Sequence, residues 1–163
     1  MAKPTETHSP RPRQLSLPAR RRIRSAIRRL TEGESDLARE VFGAGIAPGR
    51  VRILALPLWS RAFVAGPGLI VWPAATVRDD FADPDTPLRV QAVFVHELTH
   101  IWQAQNGVRL LLAKIKAGDR EESYAYDLTG GPEFPAMNIE QQAMVVEHAF
   151  LVSRGGKAPQ GAE

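Results

Sequence analysis

The chain has 163 residues and no cysteine, with 24% charged and 44% hydrophobic residues and a formal net charge of +3. That length suits one domain with its own core, and the lack of cysteine excludes disulfide staples and thiolate metal ligands. No apolar run is long enough for a transmembrane segment and the N-terminus lacks a secretory apolar stretch, so the expected location is cytoplasmic unless a dedicated secretion system exports the chain.

The charge is unevenly spread. Residues 1–30 hold nine Lys or Arg against one Glu, leaving twelve basic against seventeen acidic residues in the remainder. This reads as a basic, partly disordered arm over 1–30, a folded domain over 31–154 and a flexible tail over 155–163. Residues 18–30 place Ile23, Ile27 and Leu30 on one helical face among arginines. Such a segment either docks on the domain or contacts an acidic partner, a membrane surface or nucleic acid. No aromatic residue is interleaved for base stacking, which weakens the nucleic-acid reading.

Beyond the arm, Ser35 to Phe42 predicts a short helix with Ser35 as its cap and Gly43 as its stop. Val51 to Leu56 alternates like a strand closed by Pro57. Leu58 to Phe63 is a connection or a distorted strand. Gly66-Pro67-Gly68 then turns into the apolar strand Leu69 to Trp72, a candidate for edge pairing with an extended peptide. Asp79, Asp80, Asp83 and Asp85 lack the spacing of a calcium loop and read as acids ahead of a helix.

That helix carries the chemistry. Thr86 is its expected N-cap, Pro87 its first residue, and Asn106-Gly107 its stop. It contains His96-Glu97-Leu98-Thr99-His100. Four residues apart on a helix, the two imidazoles project from one face and can hold one zinc ion, at about 2.0–2.1 Å per nitrogen. Glu97 stands where a carboxylate takes a proton from a metal-activated water. Gln103 and Asn106 occupy the offsets where a met-zincin has Gly and a third His, so that variant is excluded. Gln103 either orients a ligand or packs beside it.

Val108 to Lys116 predicts another short helix, followed by a polar loop with Tyr124 and Tyr126. If the loop is extended the two phenols point to opposite sides, so at most one, Tyr126 for example, donates to an oxyanion. The last helix, Asn138 to Phe150, opens with Asn138 and Gln141 in a capping-box arrangement. It offers Glu140, Glu147 and His148 as possible third metal ligands. Spacing does not choose among them, and His148 is equally an oxyanion donor.

Several pieces together resemble a group of small bacterial gluzincin-type zinc peptidase domains, known as Vgr-related or secretion-effector-associated. They are Val41-Phe42-Gly43, Val51-Arg52-Ile53, Asp79-Asp80-Phe81, the run from Val93 through His96-Glu97-Leu98-Thr99-His100 to Gln103, Tyr124-Ala125-Tyr126, and Asn138-Ile139-Glu140-Gln141-Gln142-Ala143. The resemblance implies an α+β, minimal zincin-like fold: a small, antiparallel-leaning sheet packed on the HExxH helix, plus a C-terminal ligand-bearing helix. It implies that Glu140 is the third ligand beside His96 and His100. It also implies zinc-dependent hydrolysis of a peptide or protein substrate, with Glu97 as general base.

Two other classes of function compete. One is a non-catalytic, zinc-stabilised accessory domain of a secretion or effector complex. Glu97 argues against it, because structural zinc normally has four protein ligands and no use for a base. The other is a nucleic-acid binder led by the arginine arm.

Overall fold

The computed structural model describes residues 26–118 and 120–158. Among these described residues, four strands form one sheet: β1 (Ala26–Arg29), β2 (Arg52–Leu56), β3 (Phe63–Val64) and β4 (Leu69–Pro73). Their order is β1-β2-β4-β3. The outer pairings are antiparallel and the central β2–β4 pairing is parallel, with Ile53 opposite Ile70 and Leu54 opposite Val71. The architecture is therefore α+β with a small mixed sheet, antiparallel in two of its three pairings, in keeping with the antiparallel-leaning sheet expected. Four helices complete it: α1 (Glu32–Phe42), α2 (Leu88–Gln105), α3 (Leu110–Ala117) and α4 (Ile139–Ser153).

The central helix α2 contacts the sheet through β3 and β4 on one side and lies along α4 on the other. Phe94, Val95, Leu98 and Ile101 are fully buried among Ile53, Ile70, Trp72 and Phe81. Trp72, Phe81 and Phe94 form an aromatic stack, with centroids 4.3 Å and 4.7 Å apart along the series. Burying such rings supplies both apolar area and geometric specificity. It fixes the helix that carries the histidines.

Four expectations are corrected. The helix expected over residues 18–30 gives way, in its described part, to β1, which pairs with β2 through Ala26–Ala55 and Arg29–Arg52. Ile27 is exposed while Leu30 packs on the core, as an extended chain and not a docked helical face dictates; residues 18–25 lie outside the described residues. Helix α1 begins three residues earlier than Ser35, because Thr31 and Glu34 close a capping box. Thr86 does not cap α2: its hydroxyl donates to Asp80 O, and the Pro87 carbonyl accepts the first helical N–H bonds, from Val90 and Gln91. Finally, β4 is interior, paired on both sides, so Leu69 to Trp72 has no free edge for a peptide.

The replacement of helix by strand at β1 has an electrostatic anchor. Arg28 reaches back to Glu34 with two 2.7 Å hydrogen bonds, and Glu34 also accepts from Thr31 N and Phe81 N. Glu34 has no solvent exposure, whereas Arg28 keeps about a quarter of its side chain in water (27%). A buried carboxylate with four donors is satisfied; removing it strands those donors. Glu34→Ala is expected to cost about 3 kcal/mol, seen as a lower urea midpoint at unchanged slope. A loss under about 1 kcal/mol would reduce the contact to an ordinary surface pair.

Candidate metal centre

His96 and His100 stand one turn apart on α2, their rings 5.0 Å between centroids and nearly perpendicular. Glu140 comes from the first turn of α4. Asn138 Oδ1 accepts from Glu140 N and Gln141 N, and Gln141 Oε1 accepts from Asn138 N, so the expected capping box is present. Glu140 Oε2 lies 3.1 Å from His100 Nε2 and 3.5 Å from His96 Nε2. Among the described residues these three form a group that could hold a metal ion, with their donor atoms within 4.8 Å of one another. Donors about 2.0–2.1 Å from a tetrahedral divalent centre are about 3.3 Å apart, so the two spacings to Glu140 fit such an ion.

The far side of each imidazole supports the same conclusion. Gln103 Nε2 donates to Ile139 O and to Gln142 Oε1, which turns Gln103 Oε1 toward His100 Nδ1 at 2.8 Å. That oxygen only accepts, so Nδ1 carries the proton and Nε2 of a neutral His100 presents a lone pair. The lone pair then faces a carboxylate oxygen, an arrangement that calls for a cation between them. His96 has the same plan, with Glu147 Oε2 3.0 Å from its Nδ1. Carboxylate and amide acceptors behind metal-binding histidines are a recurrent means of fixing the tautomer and ring plane.

Without an ion, the charges solve the problem with protons. Burial by itself would lower the His96 pKa, but hydrogen bonds to Glu140 and Glu147 overcome it and raise the pKa to about 9. Burial would raise Glu140, and the bonds from His100 and His96 instead hold it well below the ordinary carboxylate range. Lys114 Nζ, 3.3 Å from Glu140 Oε1, adds a second cation on the oxygen that faces away from the imidazoles.

Glu97 is the chemically distinctive residue. It is buried, and its Oε2 has no hydrogen-bond partner. Burial pushes its carboxyl up from the ordinary value, with His96 and His100 pulling the other way. His96, Glu97 and Glu147 line a cavity of about 410 Å³. A second cavity, of about 490 Å³, has Glu140 and Lys114 in its wall. Arg61, Ala62 and Tyr124 border both.

The spacing analysis left Glu140, Glu147 and His148 open, and the structure separates them. Glu140 faces both Nε2 atoms, Glu147 stands behind His96, and His148 Nδ1 is 2.7 Å from Tyr126 Oη. Burial lowers the His148 pKa and raises that of Tyr126. Tyr126 and His148 thus engage each other, while Tyr124 is the tyrosine that lines the two cavities. Sequence reasoning missed Lys114, Gln142 and the Arg61-Ala62 border. Gln142 lies in the quoted Asn138 to Ala143 run, but no spacing there marks it as the partner of Gln103, and Lys114, Arg61 and Ala62 reach the site through tertiary packing alone.

No family model matches this chain. It is 35% identical over 133 residues to the type VI secretion system spike protein VgrG2b of Pseudomonas aeruginosa, a match that takes in 77% of this chain but 13% of that protein. Among solved structures, the effector domain of Pseudomonas aeruginosa VgrG2b superposes with a TM-score of 0.64 at 34% identity, covering 84% of this chain and 80% of that domain. The likeness thus extends over most of the effector domain and a small part of the spike that bears it. This chain belongs to the family of the VgrG2b effector domain.

Proposed function

We propose that this domain is a secretion-system effector that hydrolyses peptide bonds with a zinc ion held by His96, His100 and Glu140, a minimal gluzincin. The observation that carries the reading is Glu97, a buried carboxylate with an unpartnered oxygen, next to a donor set of two imidazoles and one carboxylate. Zinc at that donor set would polarise an amide carbonyl and ease deprotonation of a water. Nitrogen and oxygen donors without thiolates suit zinc, and three protein ligands leave a position open for chemistry.

Each protein group then has a role. Glu97 accepts the proton of the attacking water and passes it to the leaving amine; a carboxyl pKa raised by burial makes it a better base. Gln103 and Glu147 hold the two imidazoles through their Nδ1–H groups. Tyr124, on the border of both cavities, is placed better than Tyr126 or His148 to meet the developing oxyanion. An extended substrate would pair with β3, since β4 is enclosed.

A second reading is an effector or accessory domain whose metal only stabilises it. The relatives favour it to this extent: their names describe a spike protein and an effector domain, with no reaction. Under either reading, partners are proteins of a secretion complex and the chain travels by that route. Among the described residues no helix is long and apolar enough to cross a membrane.

Metal analysis paired with a peptide-library digest separates the two. Glu97→Gln is expected to keep a full equivalent of zinc and lose turnover by at least about 10³-fold, whereas Glu140→Gln loses the metal. Equal turnover in the native protein and Glu97→Gln would leave only the stabilising role. For the residues behind the imidazoles, Gln103→Leu and Glu147→Ala should each weaken zinc binding by about 10–100-fold, measured by competition with a chromogenic chelator. Unchanged affinity in both would mean that neither acceptor orients a ligand.

A further inference from the structure

Helix α3 is amphipathic in an inverted sense. Leu110 is buried and Ala113 half-buried on its inner side, while Leu111, Leu112 and Ile115 point outward with 75%, 56% and 71% of their surface exposed. Leu111 and Ile115 are one turn apart with Leu112 beside them, so the three make one stripe. The helix contains two lysines and no acid. Exposed Lys116 flanks one edge of the stripe, Lys114 the other, and exposed Arg109 precedes the first turn.

A second apolar projection stands across the cavity whose wall includes Ile115 and Trp59. Leu58 is fully exposed and holds a positive φ of 61°, a conformation that costs a leucine free energy. Trp59 beside it is half-exposed and stacks at a tilt on Phe63, 5.4 Å between centroids. Five large apolar side chains thus stand exposed, as a crown, on the two segments that meet at this cavity, uncovered by any of the described residues.

We propose that this crown, Leu58-Trp59 and the Leu111-Leu112-Ile115 stripe, is a docking surface for an anionic phospholipid bilayer. Lysines are depleted from protein–protein interfaces relative to the rest of the surface, but at the rim of an apolar patch on a lipid surface they extend along the apolar layer and place their ammonium groups among phosphates. Tryptophan favours that same interfacial depth. Arg109 and Lys116 supply the complementary charge; Lys114 shares its charge with Glu140, so it ties the surface to the metal centre. A domain seated this way lies on the bilayer with its cleft at the headgroups. The inference does not depend on catalysis.

The test is flotation of the 163-residue chain with vesicles of phosphatidylcholine alone or with phosphatidylglycerol, alongside quenching of tryptophan fluorescence by brominated acyl chains. Native protein should float with the anionic vesicles and be quenched. Trp59→Phe should remove most of the quenching, because Trp72 is buried in the core and Trp102 is half-buried against Phe42, away from the cavity beside the crown. Leu111→Ser/Ile115→Ser, which alters exposed positions only, should weaken partitioning by about tenfold or more with an unchanged circular dichroism spectrum. Absence of flotation would overturn the proposal. So would flotation that persists undiminished in the double variant, since the basic residues of 1–25 would then carry it. A native dimer in sedimentation velocity that the double variant dissolves would overturn it in favour of a second copy.

Discussion

One carboxylate oxygen organises the site. Glu140 Oε2 faces the Nε2 atoms of both His96 and His100 from a buried position, and the remaining ring nitrogens are each met by an acceptor. Two imidazoles pinned from behind and a carboxylate in front make a site that must hold either protons or a cation. The low-polarity surroundings amplify this requirement, because a buried polar group left unmatched is costly. The fold is arranged to enforce the meeting: the aromatic stack fixes α2, and the capping box fixes where α4 begins.

Much of this was legible in the sequence, for identifiable reasons. The spacing of His96 and His100 matches helical periodicity, so the pair could be placed before any fold was known. Asn138 and Gln141 announced the start of α4 by their capping chemistry, and so put Glu140 in its first turn. The choice among Glu140, Glu147 and His148 was not legible from spacing, because it depends on how α4 crosses α2. Resemblance selected the residue that the geometry places between the imidazoles.

The failures have a common origin. Ile23, Ile27 and Leu30 have helical spacing, yet residues 26–29 pair with β2, where the Arg28–Glu34 contact and the open edge of the sheet outweigh local periodicity. Leu69 to Trp72 is apolar throughout, which suits an enclosed strand better than an edge, but the short β3 that covers it has only two residues and no pattern to reveal it. Thr86 looked like a cap by residue type, and its hydroxyl was claimed instead by Asp80 O. In each case a non-local partner decided the outcome.

The capping box at α4 also reaches outward. Asn138 Nδ2 donates to Ser123 O, and Gln141 Nε2 donates to Ala125 O, so both members of the box grip the backbone on either side of Tyr124. The segment that borders the cleft and the carboxylate that faces the histidines are therefore hung from the same two side chains. The rim at Tyr124 and the root of Glu140 are thus coupled through two hydrogen bonds, so a shift of one pulls on the backbone of the other.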